Sequence, residues 1–403
     1  MSFVFTYQET TMNKINFPKH WKNVQLKELA SLRRESIQPE SDLCLNYVGL
    51  EHIDSGESQL KRWGNAQEVK STKNRFYAND ILYGKLRAYL DKVVIAEMEG
   101  ICSTDILVIT ANPKTIPRFL VYLLHTHPLI SHAVATSTGV NHPRTSWNSL
   151  GEFILALPPL PEQRAIAHAL QTIQEAKSTR QREIALERER KAALMDHLFS
   201  HGTKGEPRKQ TEIGAIPKSW TIQTFGDCLK EVKSKKVQFI PKRDYQKSGE
   251  FPIIDQGAAF IAGWTDLTIS VIFDDLPVII FGDHTRIFKY VDFPFAVGAQ
   301  GTQILYPNDD ILDARFFYYV LLGLKVPNKG YNRHYKYLRE FSIPCPSLPE
   351  QQQIANILQA IDEKTAALEK EVEHLDELFH AMLDELMTGQ RSAVPLIDTK
   401  LLN

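Results

Sequence analysis

The apolar residues between positions 354 and 386 recur in steps of four and three, which is the spacing of a coiled-coil helix. They are Ile354, Leu358, Ile361, Leu368, Val372, Leu375, Phe379, Met382 and Leu386. Thr365 is the one polar interruption of the stripe. A stripe of this length predicts a helix of roughly 40 residues, or about 60 Å at 1.5 Å per residue. Such a helix is longer than a small domain is wide, so we expect it to pair with another helix.

A second stripe lies near the middle of the chain and is less regular. Its apolar members are Ile166, Leu170, Ile173, Ile184, Leu194 and Leu198. Charged residues occupy the positions between them, namely Lys177, Arg180, Glu187 and Lys191. The pattern therefore predicts a second long helix but leaves its register open. For both stripes, the alternative to helix pairing is packing of each helix onto its own globular domain.

The same words open both predicted helices. "LPPLPEQRAIAHAL" begins at residue 157, and "CPSLPEQQQIANIL" begins at residue 345. Proline suits the first turn of a helix, and glutamate suits the positive end of the helix dipole. Gly202 and Gly389 fit the two helix ends, where glycine readily takes the left-handed conformation.

The duplication extends over the rest of the chain. "FPKHW" at 17–21 matches "IPKSW" at 216–220, "ILYGKLR" at 81–87 matches "IIFGDHTR" at 279–286, and "GVNHPR" from 139 matches "GYNRHY" from 330. The order is kept while the offset between matching words falls from 199 to 188, as loop deletions would make it fall. We infer a tandem duplication of a unit of about 195 residues rather than a short-period solenoid.

Each repeat combines a globular part with one long helix. Short β-like runs at residues 80–83, 92–96 and 106–110 are broken by Gly, Asn and Pro, which predicts a mixed domain with a curved sheet. The predicted fold class is α+β. Two tandem mixed α/β domains are separated by two long helices that form an antiparallel coiled coil with pseudo-twofold symmetry. The predicted segments are an N-terminal appendage 1–16, a first domain 17–157, a first spacer helix 158–202, a linker 203–215, a second domain 216–346, a second spacer helix 347–389 and a C-terminal tail 390–403.

Composition is that of a folded globular protein, with 43% hydrophobic and 24% charged residues. No apolar run reaches the roughly 18 residues of a membrane span, and the N-terminus does not have the pattern of a secretory signal. The cysteines at Cys44, Cys102, Cys228 and Cys345 are far apart and form no C-x-x-C motif. We therefore expect buried thiols, no zinc site and a reducing cytoplasmic location.

The net charge of −1 conceals a segregation of charge along the chain. Residues 349–388 contain ten acids and two bases, which leaves +7 on the remainder, and residues 230–247 contain seven bases and two acids. Residues 161–200, in contrast, have a balance of +1. Electrostatics therefore favours pairing the two helices with each other, and the basic remainder permits binding to phosphate.

Two similar but non-identical domains at a fixed spacing suit a linear ligand such as duplex DNA. Base recognition uses Arg, Lys, Asn, Gln and small hydroxyl side chains on ordered loops. The candidates in the first domain are Lys73, Asn74, Arg75, Lys85, Arg87, Tyr89, Ser137, Thr138, Asn141, His142 and Arg144. Those in the second domain are His284, Thr285, Arg286, Gln300, Asn328, Lys329, Tyr331, Asn332, Arg333, His334 and Lys336. For Arg87 and Arg286 the alternative role is a structural ion pair.

Over residues 17–389 the chain resembles the specificity subunits of type I restriction–modification systems. The resemblance rests on the two Pro-Glu-Gln helix openings and on the block "FYANDILYGKLRAYLDKVVIAEMEGICSTDILVI" at 76–109. It implies that each domain is a target recognition domain that reads one half of a split, asymmetric double-stranded DNA site. It also implies that the helices set the gap between the halves and dock two methyltransferase (modification) subunits.

The same resemblance implies that chemistry is carried out by partners. Methyltransferase subunits would hold S-adenosylmethionine and methylate adenine, and restriction (translocase) subunits would use ATP and Mg. The chain has no Asp/Asn-Pro-Pro-aromatic motif, no G-x-G-x-x-G loop and no phosphate-binding G-x-x-x-x-G-K-[ST] loop. We expect this chain to be non-catalytic and to bind no cofactor or metal. The alternatives are a specificity subunit of a methylation-only system, a DNA-modifying enzyme in its own right and a coiled-coil scaffold.

Overall fold

The computed structural model describes residues 17–39, 45–230, 238–328, 330 and 333–397. The predicted appendage 1–16 lies outside these residues, as does the end of the predicted tail. The chain divides into two compact units. The first contains Met1–Arg180 and Glu371–Asn403, and the second contains Gln181–Lys370.

Each unit combines short helices with part of two long ones. Over the described residues the α-helices are α1 (Pro117–Leu124), α2 (His127–Ala135), α3 (Trp147–Gly151), α4 (Leu160–His201), α5 (Ala314–Gly323), α6 (Tyr335–Leu338) and α7 (Leu348–Met387). The two long helices have 42 and 40 residues, close to the predicted spacer helices 158–202 and 347–389. The division between the units falls inside both long helices, so each unit contains half of α4 and half of α7.

The strands of the first unit form a two-stranded pair and two larger sheets. They are β1 (Lys22–Gln25), β2 (Ala30–Leu32), β3 (Ser36–Ile37), β4 (Asn46–Val48), β5 (Gly64–Asn65), β6 (Lys73–Phe76), β7 (Ile81–Gly84), β8 (Val93–Ile95), β9 (Gly100–Cys102), β10 (Ile106–Ala111) and β11 (Ile154–Leu157). Strand β1 pairs with β11, and the sheets have the orders β2-β10-β7-β8 and β3-β6-β9-β4-β5. Pairing is antiparallel except between β4 and β9.

The second unit has the same number of described strands and repeats the main pairings of the first. Its strands are β12 (Arg208–Thr211), β13 (Gly214–Pro217), β14 (Thr221–Thr224), β15 (Phe251–Ile254), β16 (Gly263–Thr265), β17 (Val271–Ile272), β18 (Val278–Gly282), β19 (Phe288–Val291), β20 (Phe295–Val297), β21 (Thr302–Leu305) and β22 (Ser342–Cys345). Strand β14 pairs with β22 as β1 does with β11, and β15 with β20 repeats the parallel pair. The remaining sheets have the orders β16-β15-β20-β17 and β19-β18-β21. The predicted α+β repeat is confirmed.

The segment predicted as a linker at 203–215 contains regular structure. Strands β12 and β13 pair antiparallel as a hairpin, with Thr211 opposite Gly214. The hydroxyl of Thr211 also donates to the Gly214 carbonyl at 2.6 Å. The tight turn that closes the hairpin is Glu212-Ile213, which is not one of the usual Asn-Gly or Asp-Gly signals, so the sequence did not reveal it.

Ion pairs join the two long helices in the first unit. Lys177 of α4 pairs with Asp376 of α7, and Arg180 pairs with Glu371 at 2.6 Å. The α7 partner moves towards lower numbers as the α4 position moves towards higher ones. The two helices therefore run antiparallel in this unit, as predicted.

The second unit has ion pairs of the same kind. Glu187 pairs with Lys364, and Lys191 pairs with Asp362. All four charged residues that interrupt the α4 stripe thus face charged residues of α7 within their own unit. This explains why the apolar pattern of α4 is weak, because its pairing with α7 is partly ionic.

None of the predicted seam residues is exposed. Ten are buried, namely Ile166, Leu170, Ile184, Leu198, Ile354, Leu358, Ile361, Leu368, Phe379 and Leu386, and five are half-buried, namely Ile173, Leu194, Val372, Leu375 and Met382. The ends of the stripes belong to the domain cores as well. Phe379 packs edge-on against Tyr122 of α1 with ring centroids 6.0 Å apart. Each stripe therefore packs both against the other helix and onto a globular domain.

Three of the cysteines lie in the described part of the chain, and all three are free, buried thiols. Burial raises the pKa of Cys102 and of Cys345, and raises that of Cys228 to about 12. The predicted buried thiols are confirmed for these three, and Cys44 lies outside the described residues.

Candidate nucleic-acid interface

Strand pairing brings the two repeated words of each unit together. In the first unit, β1 follows Trp21 and pairs with β11, with Lys22 opposite Leu157. In the second unit, β14 follows Trp220 and pairs with β22, with Thr221 opposite Cys345. Because a long helix begins just after β11 and after β22, each Trp lies beside a Pro-Glu-Gln helix start.

The glutamate and glutamine of this motif have separate partners in the first unit. Glu162 is buried and accepts hydrogen bonds at 2.9 Å from both the Trp21 indole and His20. Gln163 accepts from the Ile116 amide at 3.1 Å and donates to the Lys114 carbonyl at 3.2 Å. The motif therefore joins the start of α4 to the entry of β1 and to the turn before α1.

The second unit repeats the arrangement with different partners for the glutamate. Gln351 accepts from the Asp313 amide at 2.8 Å and donates to the Ile311 carbonyl at 2.8 Å, in the turn before α5. Glu350 is buried and pairs with Lys204 at 3.0 Å, and its other oxygen accepts from the Thr203 amide at 3.1 Å. Lys204 takes the place that His20 occupies in the first unit.

A glycine at the end of the other long helix completes each arrangement. Gly389 has φ +68°, and a Cβ there would lie 2.3 Å from Pro18 and 3.5 Å from Trp21. Gly202 has φ +64°, and a Cβ there would lie 2.6 Å from Glu350 and 3.1 Å from Trp220. We call this arrangement of Pro-Lys-x-Trp, Pro-Glu-Gln and helix-end glycine the latch; each unit contains one.

We predict that acid weakens the latch of the second unit. Burial raises the pKa of Glu350, but the hydrogen bonds from Lys204 and the Thr203 amide outweigh it, so the pKa lies below that of an ordinary glutamate. Its stabilisation is therefore present at neutral pH and is lost as the pH falls below about 4.5 and through the folded-state pKa. In urea unfolding, the difference in free energy between wild type and Glu350→Gln should shrink as the pH falls from 7 to 3.5. A difference that does not change with pH would contradict this assignment.

Two segments of the first unit form what we call the first recognition surface, residues 85–91 and 136–144. The Arg87 amide donates to the Pro143 carbonyl at 2.8 Å, and the Thr145 amide donates to the Lys85 carbonyl at 3.0 Å. Exposed side chains on this surface are Arg87, Tyr89, Thr138, Asn141, His142 and Arg144. The structure thus brings together two groups of candidates that lie about 50 residues apart in sequence.

An ion pair supports this surface from one side. The Arg144 guanidinium donates to the Asp105 carboxylate at 2.9 and 3.2 Å, and Lys85 lies 3.9 Å from the same carboxylate. The hydrogen bond from Arg144 keeps the pKa of Asp105 below its usual value. Arg144 therefore positions the loop, while Arg87, Asn141 and His142 remain available to a ligand. Ser137 is half-buried and donates to the Ala133 carbonyl at 2.7 Å.

The candidates on β6 are held within the domain. Lys73 is buried and donates to the Ser71 carbonyl at 2.8 Å, so the prediction that it contacts DNA is corrected. Asn74 donates to the Ile106 carbonyl at 3.0 Å, and Arg75 pairs with Glu99 at 2.9 Å. These side chains shape the sheet beside Asp105.

Residues 283–287 and the described part of 328–336 form the second recognition surface. Asn328, Thr285, Arg333 and Lys336 are exposed, and Lys329, Tyr331 and Asn332 lie outside the described residues. His334 is fully buried, with its ring nitrogen 2.8 Å from the Asp283 carbonyl, so its predicted contact with DNA is corrected. Its role is to join the two segments of the surface.

The two surfaces share an unusual backbone feature. Arg87 has φ +54° and Arg286 has φ +62°, a conformation that is uncommon for residues other than glycine. Both lie at the end of the same repeated word. The Arg286 guanidinium donates to the Val326 carbonyl at 3.1 Å, which ties the second segment to the first.

The sequence did not reveal one residue, Gln256, that supports the second recognition surface from a neighbouring turn. The side-chain amide of Gln256 accepts from the His284 backbone amide at 3.2 Å and donates to the Gln300 backbone carbonyl at 3.0 Å. The backbone carbonyl of Gln256 accepts a hydrogen bond from the Thr285 hydroxyl. The sequence carried no clear signal for Gln256, because its partners lie 28 to 44 residues away.

Neither a metal site nor a membrane-spanning helix occurs among the residues that the structure describes. No group of three or more His, Cys, Asp or Glu side chains there could hold a metal ion. Within the same residues, no helix is long and apolar enough to cross a membrane.

The duplicated units, each with a polar loop surface beside a long helix, define a two-domain recognition protein. A family model described as the type I restriction modification DNA specificity domain matches residues 18–188 and again 217–377. The chain therefore belongs to this family of DNA specificity proteins, and the predicted resemblance is confirmed.

Individual relatives agree with the family model. A Methanocaldococcus jannaschii protein assigned as the MjaX type I restriction enzyme specificity subunit is 25% identical over 95% of this chain and 96% of its own. The type I restriction enzyme EcoDI specificity subunit of Escherichia coli is 28% identical over 39% of this chain and 36% of its own. The solved S subunit of a type I restriction-modification system from M. genitalium has the same fold, with a TM-score of 0.62, 16% identity and coverage of 93% of this chain and 97% of that one.

Proposed function

We propose that the first and second units each read one half of a two-part, asymmetric double-stranded DNA site. The proposal rests on one observation: the two units share the same fold but have different residues on their recognition surfaces. The latch and the main strand pairings recur, but "GVNHPR" in one surface stands where "GYNRHY" stands in the other. A conserved framework with different displayed side chains suits two different base sequences.

The long helices set the gap between the two halves. Both contribute to both units, and ion pairs such as Lys177–Asp376 and Lys191–Asp362 fix their register within each unit. The latches join the helix ends to the domains through buried hydrogen bonds, which resist rotation at the junctions. A rigid connection is what a constant number of unread bases requires.

The methylation and cleavage reactions would be carried out by partner subunits. Two methyltransferase subunits with S-adenosylmethionine would modify adenine, and restriction subunits with ATP and Mg would translocate and cleave DNA. Support comes from the relatives named as specificity subunits of restriction enzymes. The chain would act in the cytoplasm, where its DNA target and these partners are found. In a methylation-only system the same chain would serve without the restriction subunits.

The test is a comparison of genomic adenine methylation by single-molecule sequencing. Cells would carry the methyltransferase gene of the same system, with or without the gene for this chain. We expect a two-part motif with a constant gap only when the chain is present. Methylation without any motif that depends on this chain would overturn the proposal.

A further inference from the structure

A closed hairpin projects from the first recognition surface. Thr138 and Arg144 exchange both of their backbone hydrogen bonds, each 2.9 Å long. The five residues between them, "GVNHP" at 139–143, form the tip. Gly139 has φ +101° and turns the chain into the tip.

The base of this hairpin is tied to the domain at three places. The backbone of Arg144 forms a β-bridge with Leu86, and the Arg87 amide donates to the Pro143 carbonyl. The Arg144 guanidinium donates two hydrogen bonds to the Asp105 carboxylate. Because the loop is already ordered, little conformational entropy is lost when a ligand binds it.

The tip displays an apolar side chain beside hydrogen-bonding ones. Val140 is 98% exposed, the highest value for a large apolar residue within the described residues. Its neighbours Asn141 and His142 are exposed as well. A valine that is wholly in water contributes nothing to the core, and it gains free energy only when a partner covers it.

The chemistry of this tip matches one base pair. In the major groove an A·T pair presents the thymine C5-methyl group next to the N6 and N7 groups of adenine. An apolar side chain fits the methyl group, and an Asn amide pairs with the adenine edge. A G·C pair has neither the methyl group nor this order of donor and acceptor.

We propose that Val140 and Asn141 read an A·T pair in the half-site bound by the first unit, with Val140 on the thymine methyl group and Asn141 on the adenine. The assignment rests on the proposed function. It identifies specificity-determining residues and the base pair that they recognise.

The test replaces thymine by deoxyuridine, which lacks only the methyl group. The complex of this chain with its methyltransferase subunits is titrated with duplexes that carry the methylome-defined site, each with one such replacement. For wild type we expect about fourfold weaker binding at one position of the first half-site, which corresponds to one buried methyl group. Val140→Ala should bind the thymine and deoxyuridine duplexes equally. Asn141→Ala should bind at least about fivefold more weakly and lose discrimination at the same pair.

The second half-site provides the internal control, because deoxyuridine there should have the same effect on wild type and on Val140→Ala. The exposed position makes Val140→Ala harmless to folding. The inference fails if no first-half thymine shows the effect in wild type, or if Val140→Ala retains it. In both cases tight binding of the site would leave the proposed function standing. Failure of wild type to bind the site would overturn both.

Discussion

Gly389→Ala is expected to lower the free energy of unfolding of the first unit by about 2–5 kcal/mol. The new Cβ would lie 2.3 Å from Pro18, in a latch whose tryptophan is already packed and hydrogen-bonded to Glu162. Overpacking costs about 1–3 kcal/mol, and the left-handed backbone costs an L-residue about 1–2 kcal/mol more. Hydrogen exchange of the β1 and β11 amides measures the loss directly.

A matched control separates these two causes. Gly205 has φ +63°, close to that of Gly389, but a Cβ there would meet nothing within 4 Å. Gly205 lies in the second unit, so Gly205→Ala should lower the free energy of unfolding there by about 1–2 kcal/mol, from the backbone alone, as measured by exchange of the β14 and β22 amides. Equal losses in the two variants would mean that contact with the latch contributes nothing.

Asp105→Asn is expected to weaken binding to the first half-site by about fivefold, although it removes a negative charge from the proposed DNA-binding surface. If net charge alone mattered, losing an acid beside phosphate would strengthen binding. Asp105, however, holds the Arg144 guanidinium with two charge-assisted hydrogen bonds that keep the base of the hairpin in place. Without them the hairpin must be ordered by the DNA. Binding is measured by titration with labelled duplexes.

Glu97→Gln is the control for charge. Glu97 is exposed and lies 3.6 Å from Arg118, away from the hairpin. Glu97→Gln removes the same charge from the same unit as Asp105→Asn does. It should therefore leave binding to the first half-site unchanged or strengthen it slightly. Stronger binding by Asp105→Asn would show that Asp105 acts through its charge rather than by positioning Arg144.

Features that depend on period and repetition were predictable from the sequence. The paired helices follow from apolar spacing, and the doubled domain follows from words such as "FPKHW" and "IPKSW". Even the weak stripe of α4 was informative, since its charged positions face charges on α7. These signals are local or recur at a fixed offset, so they can be seen without the fold.

Features that depend on distant partners were not predictable. Pro-Glu-Gln was read as a helix start, yet Glu162 binds Trp21, 141 residues away. Lys73 and His334 looked like DNA ligands by composition, but they are buried and contact the Ser71 and Asp283 carbonyls instead. Only the folded chain shows which polar side chains are already engaged.

Whether each unit reads its own half-site can be measured by exchanging residues 76–147 for those of another family member and sequencing the methylated sites. These residues include the whole first recognition surface and none of the second. If each unit reads its own half-site, one half of the motif will change while the other half and the gap stay the same. A change in both halves would contradict this expectation.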